Sequence, residues 1–296
     1  MPLRDIAVMV TVCLIWGLNS IISKIVVSEL GVPPLFYGSL RCLLITLAVF
    51  PWLYPMPQPR LRLVAASFLI GGGSFAIYFA GLRDATASSA AIVSQVGLPM
   101  TTLLSVAMLG EKVRWRRMLG MALALGGILL VMWDPEGLKL SRGLLLIVVS
   151  SAAGSLGAIL MKQIEGVRPL QFQAWAGLSA VFPLALASAL LETGQLGSAT
   201  AGGWTLFGCV AFSALVVSVG AHTAYYWLIN RYEANLIAPL LVMSPLFAVT
   251  FGVLLLGDRL DGRMIVGGMI TLIGVVIIAL RPNRVAPRVL LVRERG

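Results

Sequence analysis

The stretch LGEKVRWRRMLGMALALGGILLVMWDP, residues 109–135, returns 147 residues later as LGDRLDGRMIVGGMITLIGVVIIALRP, residues 256–282. The register pairs Gly110 with Gly257, Glu111 with Asp258, Lys112 with Arg259, Arg116 with Arg263, Gly120 with Gly267, Gly127 with Gly274 and Pro135 with Pro282. The same offset sets Tyr78 against Tyr225. With 31 glycines in the chain some matches arise by chance, but an acidic-basic doublet and a closing proline in one register require duplication. A fainter echo links WGLNSIISK, 16–24, with GSLGAILMK, 154–162, pairing Lys24 with Lys162 at a shorter offset that connecting loops absorb.

Working outward, the surroundings of both copies are apolar. The chain has 296 residues, 59% of them hydrophobic and 11% charged, with a mean hydropathy of +0.96. Those values exclude an ordinary soluble domain and point to a polytopic membrane protein with the lipid bilayer as its partner. A net charge of +10 could suggest nucleic acid, but the basic residues sit at the ends of apolar runs and form no patch, so no nucleic-acid partner is expected.

Apolar runs of membrane-spanning length fall at 6–27, 35–54, 62–81, 86–109, 115–133, 141–162, 171–190, 204–227, 235–256 and 262–281. The first of them resembles a signal peptide, yet no small-x-small cleavage site comes after it, and it reads as a retained span. The expected fold is therefore all-α and integral to the membrane. It has ten transmembrane helices in two five-helix repeats, residues 1–137 and 138–281, and then a basic tail, 282–296. Because five is odd, the second repeat enters the membrane in the opposite sense, so the repeats are inverted. With both termini in the cytoplasm, 15 Lys and Arg lie on the inner side and five on the outer, which sets the orientation. The tail arginines then rest against anionic headgroups. Glu111 and Asp258 would each favour the N-terminal end of the next helix.

Five plus five spans, the polar first span IWGLNSIISK (15–24) and the GEKV (110–113) and GDRL (257–260) turns resemble the EamA branch of the drug/metabolite transporter superfamily. The likeness covers nearly the whole chain and is greatest to members that export aromatic and other neutral amino acids across the bacterial inner membrane. It implies a multi-pass inner-membrane protein with a central cavity lined mainly by spans 1, 3, 4, 6, 8 and 9, with spans 5 and 10 peripheral. A small-molecule substrate, an amino acid, is the implied partner. A homodimer stands beside the monomer as an open alternative.

Candidate residues are the polar groups kept in apolar spans, where each costs free energy unless it is used. In span 1, Cys13, Trp16, Asn19, Ser20, Ser23 and Lys24 share one helical face about 140° wide. Such a face meets other helices or a wet cavity. Lys24 either snorkels to the headgroups or meets a substrate carboxylate. Arg41, six residues into span 2, carries the same ambiguity, since the family cavity is not lined mainly by that helix.

GGGSFAIYFAG, 71–81, places Ser74 and Tyr78 one turn apart, and HTAYYWL, 222–228, does the same for His222 and Tyr226. Tyrosines near helix ends are often interfacial anchors, but the repeat match makes Tyr78 and Tyr225 alike candidates for a substrate contact. His222, the one histidine, is a candidate proton carrier or a hydrogen-bonded helix residue. Gln95 with Ser94, and Ser155 with Ser151, can bind an ammonium or a carboxylate or can join helices. Pro99, Pro239 and Pro245 break the backbone ladder of spans 4 and 9, as kinks or hinges.

All twelve acids lie in or beside loops, so an acidic proton relay is unsupported. No Walker A, HExxH or GxSxG sequence occurs, and the three cysteines form no CxxC or Cys/His set, so neither a cofactor nor a metal is expected. The expected function is a secondary transporter, not an enzyme. It would export small amphipathic metabolites, amino acids including aromatic ones, by alternating access. Within the fold the alternative is a nucleotide-sugar, purine or drug-type transporter; outside it, an intramembrane hydrolase using Ser155 and His222.

Overall fold

A computed structural model describes residues 1–110, 113–134, 139–232 and 237–280. Among the described residues, eight helices are long and apolar enough to cross a bilayer: Leu3–Glu29, Arg60–Leu82, Ala87–Leu109, Trp115–Met132, Arg142–Met161, Pro169–Leu191, Gln195–Leu228 and Gly262–Ala279. Two shorter apolar helices, Pro34–Ala48 and Leu240–Leu256, fill the second and ninth places. They are called spans 1 to 10 in chain order.

Three local features depart from the expected pattern. Span 2 stops at Ala48 and gives way to a 3-10 turn, Phe50–Leu53, because Pro51 supplies no backbone N–H to continue the ladder. Span 8 begins at Gln195, ahead of the expected 204, and bends at Gly203, whose φ of +45° and ψ of −130° no ordinary side chain adopts readily. A short antiparallel ribbon, β1 (Trp133–Asp134) with β2 (Lys139–Leu140), lies between the two halves of the all-helical membrane fold.

Packing obeys an exchange of the halves. Span 5 packs on span 10 and span 2 on span 7, each against its own equivalent. Span 1 packs on span 9 as span 6 packs on span 4, and span 3 packs on span 6 as span 8 packs on span 1. The crossing of spans 5 and 10 fixes the sense of that symmetry. Gly120, early in span 5, closes on the Gly274 carbonyl late in span 10, while Gly127 closes on the Gly267 carbonyl. Early residues of one helix thus meet late residues of the other. The helices run antiparallel, and the repeats are inverted.

Small residues set these distances because lipid offers helices no hydrophobic incentive to associate; close dispersion contact supplies it. Large apolar side chains such as Leu47, Phe182, Leu190, Trp204 and Leu254 stay exposed on the outside of the bundle, where acyl chains would cover them.

Helix ends are closed across the halves. Asp258 accepts from the Ser88 N–H at the start of span 4 (2.9 Å), beside Thr86, which accepts from the Ser89 N–H. Asp258 therefore serves span 4, not the helix next in the chain. That helix, span 10, is capped by Asp261, which accepts from the Met264 N–H at 2.7 Å. Glu111 lies outside the described residues, as do Lys112, Pro135 and the 282–296 tail. Glu192 accepts from the Leu35 and Phe36 N–H groups, closing span 2.

Candidate functional site

Trp16 of span 1 meets two side chains of span 8: its ring centre lies 5.2 Å from that of His222 and 5.3 Å from that of Tyr225, the latter edge-on. Tyr78 of span 3 approaches Ser20, one turn after Trp16. Tyr78 and His222, like Trp16, Ser20 and Tyr225, are partly exposed. These partly accessible side chains come from spans 1, 3 and 8. Partly accessible aromatic faces with amide and hydroxyl groups beside them suit a small amphipathic molecule.

Both tyrosine-bearing helices widen just before the site. Span 3 carries a π-helical segment at Phe68–Gly73 and span 8 one at Phe212–Ala221, in corresponding places of the two repeats. A π turn reaches one residue further back for its hydrogen bonds and re-aims the side chains after it. Side chains copy that reach: the His222 Nδ1–H donates to the Val217 carbonyl at 2.8 Å, and Ser218 donates to the Ser213 carbonyl at 2.9 Å. A carbonyl can only accept, so in this bond Nδ1 carries a proton.

Beyond this aromatic group lies a charge. Arg41 of span 2 is 2% exposed, donates from Nη2 to the Ser218 hydroxyl at 2.7 Å, and lies with Cζ 3.9 Å from the Phe75 ring centre. Its Nε has no hydrogen-bond partner, and neither do Trp16 Nε1 and Asn19 Oδ1. Tyr37 Oη lies near the hydroxyls of Ser23 and Ser213, too loosely for a bond with either. Each unsatisfied buried group costs about 1–3 kcal/mol.

Sequence reasoning missed Tyr37, Phe75 and Ser218 here. Phe75 is hidden by its apolar surroundings in the sequence. Ser218 becomes special only through the π turn that points it toward Arg41.

Other candidates are occupied elsewhere. Lys24 donates to the carbonyls of Leu82 (2.6 Å) and Arg83 (3.4 Å), closing the C-terminal end of span 3. Ser155 donates to the Gly97 carbonyl at 2.9 Å and Ser151 to that of Ser94, both joining span 6 to span 4. Gln95 reaches only the Ala91 carbonyl of its own helix, at 3.4 Å. Ser155 and His222 each bond to main-chain carbonyls, so the pairing a hydrolase would use is not formed.

Pro99 and Pro245 occupy matching positions, each the third residue of an α-helical stretch preceded by a 3-10 turn, Ser94–Val96 and Ala238–Val242. Pro239 falls within the second of these turns. A missing N–H at each proline frees a carbonyl upstream, and the tighter turn accommodates it. Among the described residues no group of three or more His, Cys, Asp or Glu could hold a metal.

Comparison with known proteins agrees with this architecture. Residues 4–133 and 141–280 each match the EamA-like transporter family. A relative from Escherichia coli (strain K12), described as a probable amino-acid metabolite efflux pump, is 26% identical over 292 residues, covering 94% of this chain and 95% of its own. A protein of the same description from Salmonella typhimurium is also 26% identical, over 290 residues, covering 94% of this chain and 95% of its own. An uncharacterized transporter, YoaV of Bacillus subtilis, is 21% identical over 280 residues, covering 90% of this chain and 93% of its own. A solved crystal structure superposes with a TM-score of 0.62 at 17% identity, covering 94% of this chain and 96% of that one, which bears on the fold alone. Two family matches, one in each half, account for nearly the whole chain, and the protein belongs to the EamA-like transporter family.

Proposed function

We propose that this protein exports small amphipathic metabolites, amino acids with aromatic ones among them, by alternating access of the space between its two inverted repeats. The observation that carries the reading is the cluster of Trp16, His222 and Tyr225, faced by Tyr78. Flat apolar rings offer a surface to a side chain, while Ser20, Asn19 and the unpaired indole N–H of Trp16 offer polar contacts to its backbone end. Inverted halves that pack through equivalent spans can exchange conformations, so one site opens to each side in turn. The efflux-pump descriptions of two relatives support the direction. Repeats 1–137 and 138–281 are the moving units in this reading, with Pro99, Pro239 and Pro245 at the hinges. Both termini lie in the cytoplasm of a bacterial inner membrane.

Tracer flux in proteoliposomes, with and without a pH gradient, tests the proposal. Purified protein is expected to carry labelled phenylalanine and leucine unchanged across the vesicle wall, ahead of a nucleotide sugar or a purine. Flux of the latter two alone, or chemical turnover of the substrate, would overturn it.

A further inference from the structure

Arg41 is a charge without a counter-charge among the described residues. A guanidinium stays protonated under all ordinary conditions, and burying it unpaired is costly unless something compensates. Its surroundings supply only partial compensation: one hydroxyl from Ser218 and the face of Phe75, with Nε unpartnered. Among the described residues the single ion pair joins Arg263 to Asp261, far along the chain in span 10 and the turn before it. Among the described residues the acids lie at helix ends, in turns or in the short ribbon, and none forms an ion pair with Arg41. A purely structural cross-link between spans 2 and 8 would need no permanent charge, since a neutral amide could bond Ser218 equally well.

The position of Arg41 is as informative as its charge. Ser218, which it holds, lies one turn before His222, and His222 touches the Trp16 ring. A planar anion on the guanidinium would therefore stand at one end of the aromatic cluster, with Trp16 and Tyr225 beyond it. Guanidinium forks match carboxylates geometrically, through two parallel N–H···O bonds. We propose that Arg41, positioned by Ser218 and Phe75, is the anchor for the carboxylate of the transported molecule.

The proposal rests on the transport reading above and narrows it to carboxylate-bearing substrates. Arg41 is closed from solvent in this conformation. Binding therefore includes displacement of the groups around it, with the carboxylate taking the unused N–H donors.

The test pairs two probes of one shape, 3-phenylpropionate and 3-phenylpropionamide, and measures their binding to the full-length purified protein by titration calorimetry. Wild type is expected to bind the carboxylate at least about tenfold more tightly than the amide. Arg41→Gln is expected to abolish that preference, and Arg41→Lys, which keeps the charge but not the fork, to retain part of it. Equal binding of the two probes by wild type overturns the proposal without any variant. A preference that survives in Arg41→Gln also overturns it; should that variant fail to fold, a preference undiminished in Arg41→Lys does the same. Amino-acid flux is scored separately, so failure of the transport reading is distinguishable: protein that prefers the carboxylate through Arg41 yet carries no amino acid keeps the anchor and loses only the substrate named above.

Discussion

Gly127 and Gly267 close on each other where spans 5 and 10 cross: a β-carbon built on Gly127 would stand 2.5 Å from the Gly267 carbonyl, and one on Gly267 would stand 2.7 Å from the Gly127 carbonyl. Each glycine is thus required by the backbone of the other half. Gly126, next to it, faces open space. Gly127→Ala is expected to destabilise the protein by about 1–3 kcal/mol through overpacking. Gly126→Ala is expected to be neutral or to stabilise by up to about 1 kcal/mol, because alanine is the better helix former. Thermal unfolding in detergent checks both, and equal effects would contradict the close crossing.

That crossing is also where sequence and structure agree most fully. Gly120, Gly127, Gly267 and Gly274 stand out as repeat-matched residues in the sequence, and the structure uses all four to bring the backbones together. Helix positions were legible because a membrane span must satisfy its backbone internally and shed its charges, which leaves a strong signal. The candidate site was legible only in part. Trp16 announces itself as a polar-tipped aromatic in span 1, and Tyr78 and Tyr225 as repeat-matched tyrosines in spans 3 and 8. Arg41 was visible as a charge inside a span, but its lack of a counter-charge among the described residues depends on the three-dimensional neighbourhood. The roles of Lys24 and Ser155 as helix-joining donors depend on which carbonyls the fold brings near, and no spacing along the chain encodes that.

Lys24 tests the division between binding and support. Its ammonium closes the end of span 3 through the Leu82 carbonyl. A charged hydrogen bond of this kind contributes about 1.5–3 kcal/mol. Lys24→Ala is therefore expected to lower thermal stability while leaving the ratio of phenylalanine to alanine transport unchanged. A changed ratio at unchanged stability would assign Lys24 to the substrate.

Asp261 gives a pH-dependent counterpart. The Met264 N–H it accepts, with Arg263 beside it, holds its carboxyl below the ordinary aspartate value. A carboxyl depressed by folding stabilises the protein above its unfolded value and ceases to do so as pH falls through the folded one. Between about pH 6 and about pH 3, wild-type melting is expected to fall more than that of Asp261→Asn. Parallel curves would show that the cap contributes nothing.

Orientation is tested at two exposed loop residues on opposite ends of span 7. With the termini inside, Thr193→Cys in a cysteine-free background is expected to react with an impermeant maleimide in intact cells. Glu165→Cys is expected to react only after the membrane is opened. The reverse pattern would invert the proposed topology.

The most direct measurement of the central claim is tracer flux through Trp16→Ala in proteoliposomes at matched protein incorporation. Trp16 touches both His222 and Tyr225, so its removal opens the aromatic wall. Loss of a stacking contact removes about 0.5–1.5 kcal/mol beyond area burial, a factor of about 2 to 10. Phenylalanine flux is expected to fall by that factor relative to alanine flux. An equal loss for both substrates, or no loss for either, would mean that Trp16 only packs helices and that the substrate binds elsewhere.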